Sequence, residues 1–270
     1  QDLVKACFND HEFRNKISLS AVNSINWARI MAQIVYYFYS ALRLGAPERE
    51  VQFAVPTGNF GNVFAGYAAQ KMGLPISKFL VGSNRNDILT RFFNANDMSI
   101  KTVEPSLSPS MDIQISSNFE RFLYFCLDEN PKALTDAMTA FRKDGKLPLS
   151  NAAFTKATEC FEGFSLDDEG ILAEIARVYT ENQELIDPHT AASTAHAKVS
   201  GNKQNLTTIV LATAHPAKFS EAVKMASGVT PKLPPHLSHI FSIPENYKLS
   251  PNDLSMLQTF VMSEGAATYS

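Results

Sequence analysis

Apolar residues recur at spacings of three to five along residues 23–44, as Ile25, Ile30, Ile34, Phe38 and Leu42, with Val22 just before and more aromatics between. Such spacing makes a wide apolar face and predicts one long, well-buried helix. Gly45 and Pro47 end it. The period then shortens. Residues 51–55 read as a strand, and 62–72 as an alanine-rich helix stopped by Gly73. A second strand at 78–81 and a second helix at 87–93 follow. This β-α-β-α alternation predicts an α/β fold, an open and mainly parallel sheet with helices on both faces.

The middle of the chain is less regular. Residues 104–117 mix short apolar stretches with prolines and serines and read as loop. Helices are predicted at 118–127, 132–142 and 168–181, the last opened by acids where a helix N-terminus favours them. Pro188 starts a helix running to about Ser200. Residues 207–212 read as a strand ending in Thr213-Ala214-His215-Pro216, with a helix beyond to about Ala226. From Thr230 the chain carries four prolines before residue 245, which suggests a surface-wrapping tail. The expected organisation is a large unit at about 18–228 and a tail at about 229–270.

Composition narrows the function classes. A chain of 270 residues with 45% apolar side chains can bury a substantial core. Its net charge is −3, from 24 basic and 27 acidic residues, with no basic stripe. Nucleic acid is therefore not an expected partner. No apolar run is long enough to span a membrane. The three cysteines are widely spaced and odd in number, which suits a reducing compartment such as the cytoplasm better than a disulfide framework. His236 and His239 have no carboxylate or thiol near them in sequence, so no metal site is expected. Gln1-Asp2-Leu3-Val4-Lys5 lacks both an initiator methionine and the pattern of a signal peptide, which suggests processing, truncation or a leader outside these residues.

The candidate chemistry lies at the first strand-to-helix corner, Thr57-Gly58-Asn59-Phe60-Gly61-Asn62. Gly58 and Gly61 permit positive φ and close approach of the backbone to a ligand. Main-chain N–H groups at a helix start, with the helix dipole behind them, form an anion site. Asn59 and Asn62 add amide donors. The loop has no lysine and its spacing is neither GxxxxGK[ST] nor GxGxxG. The demand is thus for one phosphate group, not a triphosphate. A turn that needs glycine for steric reasons alone is the competing reading.

Several stretches together resemble the threonine synthase family, in its longer microbial and fungal branch. They are Asn23-Ser24-Ile25-Asn26-Trp27-Ala28-Arg29-Ile30, the glycine corner with Ala65-Gly66-Tyr67, and Asn84-Arg85-Asn86-Asp87-Ile88-Leu89 with Arg91-Phe92. Ser108-Pro109-Ser110-Met111-Asp112-Ile113 with Ser117-Asn118-Phe119-Glu120-Arg121, and Thr213-Ala214-His215-Pro216-Ala217-Lys218-Phe219, complete the set in the family's order. The resemblance implies a pyridoxal 5'-phosphate (PLP) enzyme of the tryptophan-synthase-β fold, fold type II. The implied reaction is that of a carbon–oxygen lyase turning O-phospho-L-homoserine and water into L-threonine and phosphate. It implies that Gly58, Asn59, Phe60, Gly61 and Asn62 hold the cofactor phosphate and that Thr213 meets the pyridine nitrogen.

The same resemblance exposes an absence. The family bonds PLP through a lysine in an H-G-P-T-x-x-F-K-D stretch and has an S-G-D-T-G substrate loop; this sequence contains neither. Lys143 sits among charges and reads as a surface residue, and Lys218 follows the hydroxyl position. The chain thus matches a C-terminal portion, with the lysine expected on an N-terminal segment as its partner. The alternatives are a non-catalytic PLP-fold binding module or another PLP-dependent lyase of this fold. Asp112 and Arg121 either face substrate or form a structural pair or cap. Asn84 and Asn86 either reach the site or, with Asp87, cap the next helix. His189 and Thr190 open a helix, and His215 adjoins Thr213. Trp27 and Tyr36-Tyr37 read as core or interface.

Overall fold

The computed structural model describes residues 2–20, 25–147, 149–200 and 206–266. Helices α1 (Asp2–Asn9), α2 (His11–Ile17) and α3 (Trp27–Arg43) precede strand β1 (Val51–Pro56). Helix α4 (Gly61–Lys71), strand β2 (Ile76–Ser83) and helix α5 (Ile88–Ala95) follow. Then come α6 (Phe119–Cys126), α7 (Pro131–Asp144), α8 (Asn151–Thr158) and strand β3 (Phe161–Ser165). The chain continues through α9 (Asp168–Asn182), α10 (Pro188–Ser200), β4 (Thr207–Val210), α11 (Ser220–Ser227) and α12 (Leu254–Ala266). Asn23 and Ser24, where the sequence starts the long helix, lie outside the described residues.

Two compact units result, Asn23–Lys232 and the paired segments Gln1–Val22 with Leu233–Ser270. In the smaller unit α12 packs on α1 and α2. Gln258 Nε2 donates to Asp10 Oδ2 at 2.9 Å, while Asp10 Oδ1 caps α2 by accepting from Phe13 N at 3.0 Å. None of these three helices is predicted by the sequence pattern.

The larger unit is built on a parallel sheet of order β3-β2-β1-β4. That is the α/β arrangement the alternation predicts. Strand β1 is buried along its whole length, as a strand covered on both faces must be. Phe53 and Val55 of β1, Phe79 and Val81 of β2 and Phe161 of β3 join a core with Tyr37 of α3 and Phe64 of α4. The opposite face meets α10, where small residues allow close approach: a Cβ on Gly82 would lie 2.7 Å from Ser193 Oγ. Glu162 on that face of β3 accepts from Ser200 Oγ at 2.6 Å.

On the first face Gly66 lets α4 sit against the core. A Cβ there would lie 2.4 Å from Tyr37 Cε1 and 2.6 Å from Phe79 Cε1. Both rings are fully buried and neither can swing out. Gly66→Ala is therefore expected to lower unfolding free energy by about 1–3 kcal/mol. Urea denaturation measures it, and an unchanged midpoint would mean that the helix shifts freely.

Helix α3 departs from expectation. Ile30, Tyr37 and Ala41 are buried, but Met31, Val35, Tyr39 and Leu42 are 54–64% exposed. These four share one side of the helix, more than a third of a turn from the buried stripe. Periodicity reports that a face is apolar, not that its cover lies within the described residues.

Candidate functional site

A cavity of about 620 Å³ opens where β1 runs into α4, beside the carboxyl end of β4. Ligands of open α/β sheets collect at that edge. Residues 56–62, Ser110 and Met111, His189, residues 211–214, Lys218 and Phe219 line it, together with Arg29, Gln33 and Tyr36 of α3. The three α3 residues stand at i, i+4 and i+7, one polar stripe beside two apolar ones.

The corner is an N–H cradle. Phe60 precedes α4 in the left-handed conformation, φ 61° and ψ 3°. Its ring is 1% exposed and packs on Phe93, Phe119, Phe122 and Phe161, at centroid distances of 5.1–6.2 Å. Phe60 thus gives main chain to the cavity and side chain to the core. Neither Gly58 nor Gly61 has positive φ, so the conformational freedom expected of them is not used. Gly58 is instead demanded by space, since a Cβ would lie 2.5 Å from Ser110 O. The main-chain N–H groups of residues 58–62 donate to no acceptor among the described residues. Unpaired N–H groups at a helix start, lining a cavity, form a site for an anion.

Three carbonyls of the corner are held by side chains from neighbouring elements. Ser116 Oγ donates to Gly58 O at 2.7 Å, and Asn118 donates to Asn59 O from both its N and its Nδ2, each at 3.0 Å. Tyr37 Oη donates to Asn62 O at 2.9 Å and to Asn62 Oδ1 at 3.0 Å. Burial holds the Tyr37 phenol well above its ordinary pKa, so it remains a neutral donor.

The loop facing the corner is fixed by a knot around Asp112. Its Oδ1 accepts from Asn84 Nδ2 at 2.7 Å, Asn86 Nδ2 at 3.1 Å and Ser106 Oγ at 2.6 Å; its Oδ2 accepts from Ser106 N at 3.0 Å. Ser110 N donates to His189 Nε2 at 3.3 Å, and His189 Nδ1 lies 3.3 Å from Asp187 Oδ1. Asp187, fully buried, caps α10 through the N–H groups of His189 and Thr190.

Comparison with known proteins fits this geometry. Residues 187–261 match the family model "Threonine synthase, C-terminal". The threonine synthase of Pseudomonas aeruginosa is 49% identical over 98% of this chain. The chain matches the C-terminal portion of threonine synthases. It spans 57% of the Pseudomonas protein's length. The PLP-bound threonine synthase of Brucella melitensis superposes with a TM-score of 0.90 at 43% identity, over 98% of this chain and 57% of that one. The yeast threonine synthase gives 0.84 at 36% identity, over 99% and 57%.

Within this threonine synthase portion, Gly58, Asn59, Phe60, Gly61, Asn62 and Thr213 all line the one cavity. His189 lines it too. Asn84, Asn86 and Asp112 do not contact it; they form the knot behind the loop. Arg121 is a structural tie, donating to Asn118 Oδ1 at 3.1 Å and Ile25 O at 2.8 Å. Thr190 bonds Asp187, and His215 caps the turn Pro216–Phe219 through Ala217 N at 3.1 Å. Asp87 pairs with Arg91 at 2.9 Å and makes no side-chain cap. Tyr37 is core as expected, but Tyr36 lines the cavity and Trp27 is 46% exposed. Arg29, Gln33 and Ser110 received no role from sequence; the polar stripe at 29, 33 and 36 was the available signal for the α3 residues. No grouping of His, Cys, Asp or Glu suited to a metal occurs among the described residues, and no helix there is long and apolar enough to cross a membrane.

Proposed function

We propose that this chain supplies the cofactor-phosphate side of a PLP-dependent threonine synthase, a carbon–oxygen lyase making L-threonine and phosphate from O-phospho-L-homoserine and water in the cytoplasm. The observation that carries the reading is the row of unpaired N–H groups at residues 58–62, opening into the cavity that Thr213 also lines. One phosphate group fits such a row without a lysine or a metal.

PLP, when bound, supplies an electron sink for an amino-acid substrate. The chain's own residues hold and orient it. The amides of residues 58–62 would take its phosphate, each charge-assisted bond contributing roughly 1.5–3 kcal/mol. Thr213 would donate to the ring nitrogen; a hydroxyl is too weak an acid to protonate it. Arg29 and Lys218 bring positive charge to the cavity wall, matching a substrate that carries both a phosphate and a carboxylate. We place the lysine that would bond the cofactor on a segment outside these residues. Lys218 lines the cavity, but its Nζ rests 5.6 Å over the Phe219 ring.

The test is to reduce the complete protein with borohydride in the presence of PLP and map the modified lysine. A single adduct outside residues 1–270, in a protein that forms threonine, is the expected result. An adduct on Lys218 would overturn the assignment. A second prediction concerns Thr213→Ala. It should weaken PLP binding about tenfold, the value of one hydrogen bond at about 1.4 kcal/mol, with Thr213→Ser closer to wild type. Fluorescence titration reads the affinity, and equal constants would return Thr213 to a plain strand-end residue.

A further inference from the structure

Asn118 is 1% exposed and stands just before α6, with each hydrogen-bonding end of its side chain engaged. Its N and Nδ2 both donate to Asn59 O, each at 3.0 Å. Its Oδ1 accepts from Arg121 Nε at 3.1 Å. An arginine Nε only donates, so the amide has one orientation, oxygen toward Arg121 and nitrogen toward the glycine corner. Arg121 reaches on: Nη2 donates to Ile25 O at 2.8 Å, and the guanidinium sits 5.8 Å over the Trp27 ring. Ile25 and Trp27 flank Asn26, the N-cap of α3, which carries Arg29, Gln33 and Tyr36 into the cavity.

We infer that Asn118 is a positioning residue that aims the N–H cradle and, through Arg121, sets it in register with the α3 wall of the same cavity; this rests on the PLP reading above. The reason is peptide geometry. In a trans peptide the carbonyl and the following N–H point opposite ways. Donors from Asn118 to Asn59 O and from Ser116 to Gly58 O therefore direct the Phe60 and Asn59 N–H groups away from themselves. Two donors on one carbonyl also polarise that peptide, which strengthens its N–H toward an anion. Freed of these donors, the carbonyls can turn their lone pairs toward the ligand. Arg121 makes the α3 end depend on the same residue, so the cofactor-phosphate wall and the Arg29 wall move together.

The test uses the complete protein and Asn118→Asp. The substitution is isosteric. It keeps the Arg121 contact as an ion pair and sets an oxygen against Asn59 O in place of a donor. PLP affinity should fall at least about tenfold. The ³¹P resonance of bound PLP should move, while the thermal midpoint of the PLP-free protein stays near wild type. Ser116→Ala should weaken PLP about threefold. Arg121→Lys should leave PLP affinity within about twofold but raise the KM for O-phospho-L-homoserine, because the cradle stays held while α3 loosens. Wild-type PLP affinity and ³¹P shift in both Asn118→Asp and Ser116→Ala would overturn the inference, as would an unchanged KM in Arg121→Lys. If Asn118→Asp does not fold, the other two variants decide. Should the wild-type protein itself bind no PLP, the cofactor reading fails first, and the titration shows which of the two has failed.

Discussion

Replacing Gly58 with valine should raise the PLP dissociation constant of the complete protein by about two orders of magnitude, or about 2.7 kcal/mol. The cause is space. The first added carbon would lie 2.5 Å from Ser110 O and 3.3 Å from Met111 Cα, both backbone atoms. That loop cannot retreat, because Ser110 N is bonded to His189, Met111 N to Ser108 O at 2.9 Å, and Asp112 anchors the next position. The Gly58 peptide must move instead, and the Asn59 amide moves with it. Two charge-assisted phosphate bonds at roughly 1.5–3 kcal/mol each are then at risk. Alanine should show most of the effect, since the clash begins at Cβ. PLP titration against a circular-dichroism control checks it, and unchanged affinity would assign the glycine to the turn alone.

The second large effect is expected at Asp112. Its carboxylate is the common acceptor for Asn84, Asn86 and Ser106, and Asn84 and Asn86 are 0% and 4% exposed. Asp112→Ala removes the four hydrogen bonds this carboxylate accepts and leaves Ser106 N without a partner, while Asn84 keeps Ser106 and Ser108 and Asn86 keeps Glu104 O as acceptors. It should lower unfolding free energy by about 2–3 kcal/mol. Asp112→Asn should cost about half as much, because an oxygen can still face the side-chain donors while Ser106 N loses its partner. Urea denaturation of both variants measures the difference. A loss under about 1 kcal/mol for alanine would show that the loop is held by other contacts.

The parallel sheet was legible because β1 and β2 are apolar runs set between glycine-bounded helices, a local pattern. Strand β3 was not. Phe161-Glu162-Gly163-Phe164-Ser165 is short and carries a glycine, which a strand disfavours except where another element comes close. Here one does, since a Cβ on Gly163 would lie 2.8 Å from Thr90 Cα. Helices α1, α2 and α12 escaped because their packing joins the two ends of the chain, which no sequence window spans. The glycine corner forms the strand-to-helix turn the sequence predicts and lines a cavity, but its glycines are not needed there for positive φ. The left-handed residue is Phe60, and only neighbours fifty residues away reveal why Gly58 must lack a side chain. The Asp112 knot was invisible for the same reason, since its asparagine partners lie 26 and 28 residues away. Asp112, Asn84 and Asn86 looked equally suited to ligand or scaffold until their acceptors and donors were paired.

If the corner holds a phosphate as proposed, Phe60 ties anion recognition to the folding equilibrium. An L-residue in the left-handed region is strained, and here the strain is offset by a ring locked among four other aromatic rings. The cradle therefore has no conformation of its own apart from the core that roots it. Evolution cannot tune that aromatic cluster for stability without also retuning the grip on the ligand, and a bound phosphate in turn acts as a distant staple on Phe93, Phe119, Phe122 and Phe161. Substitutions in that cluster, far from any reacting atom, should accordingly surface first as lost ligand and only later as lost fold.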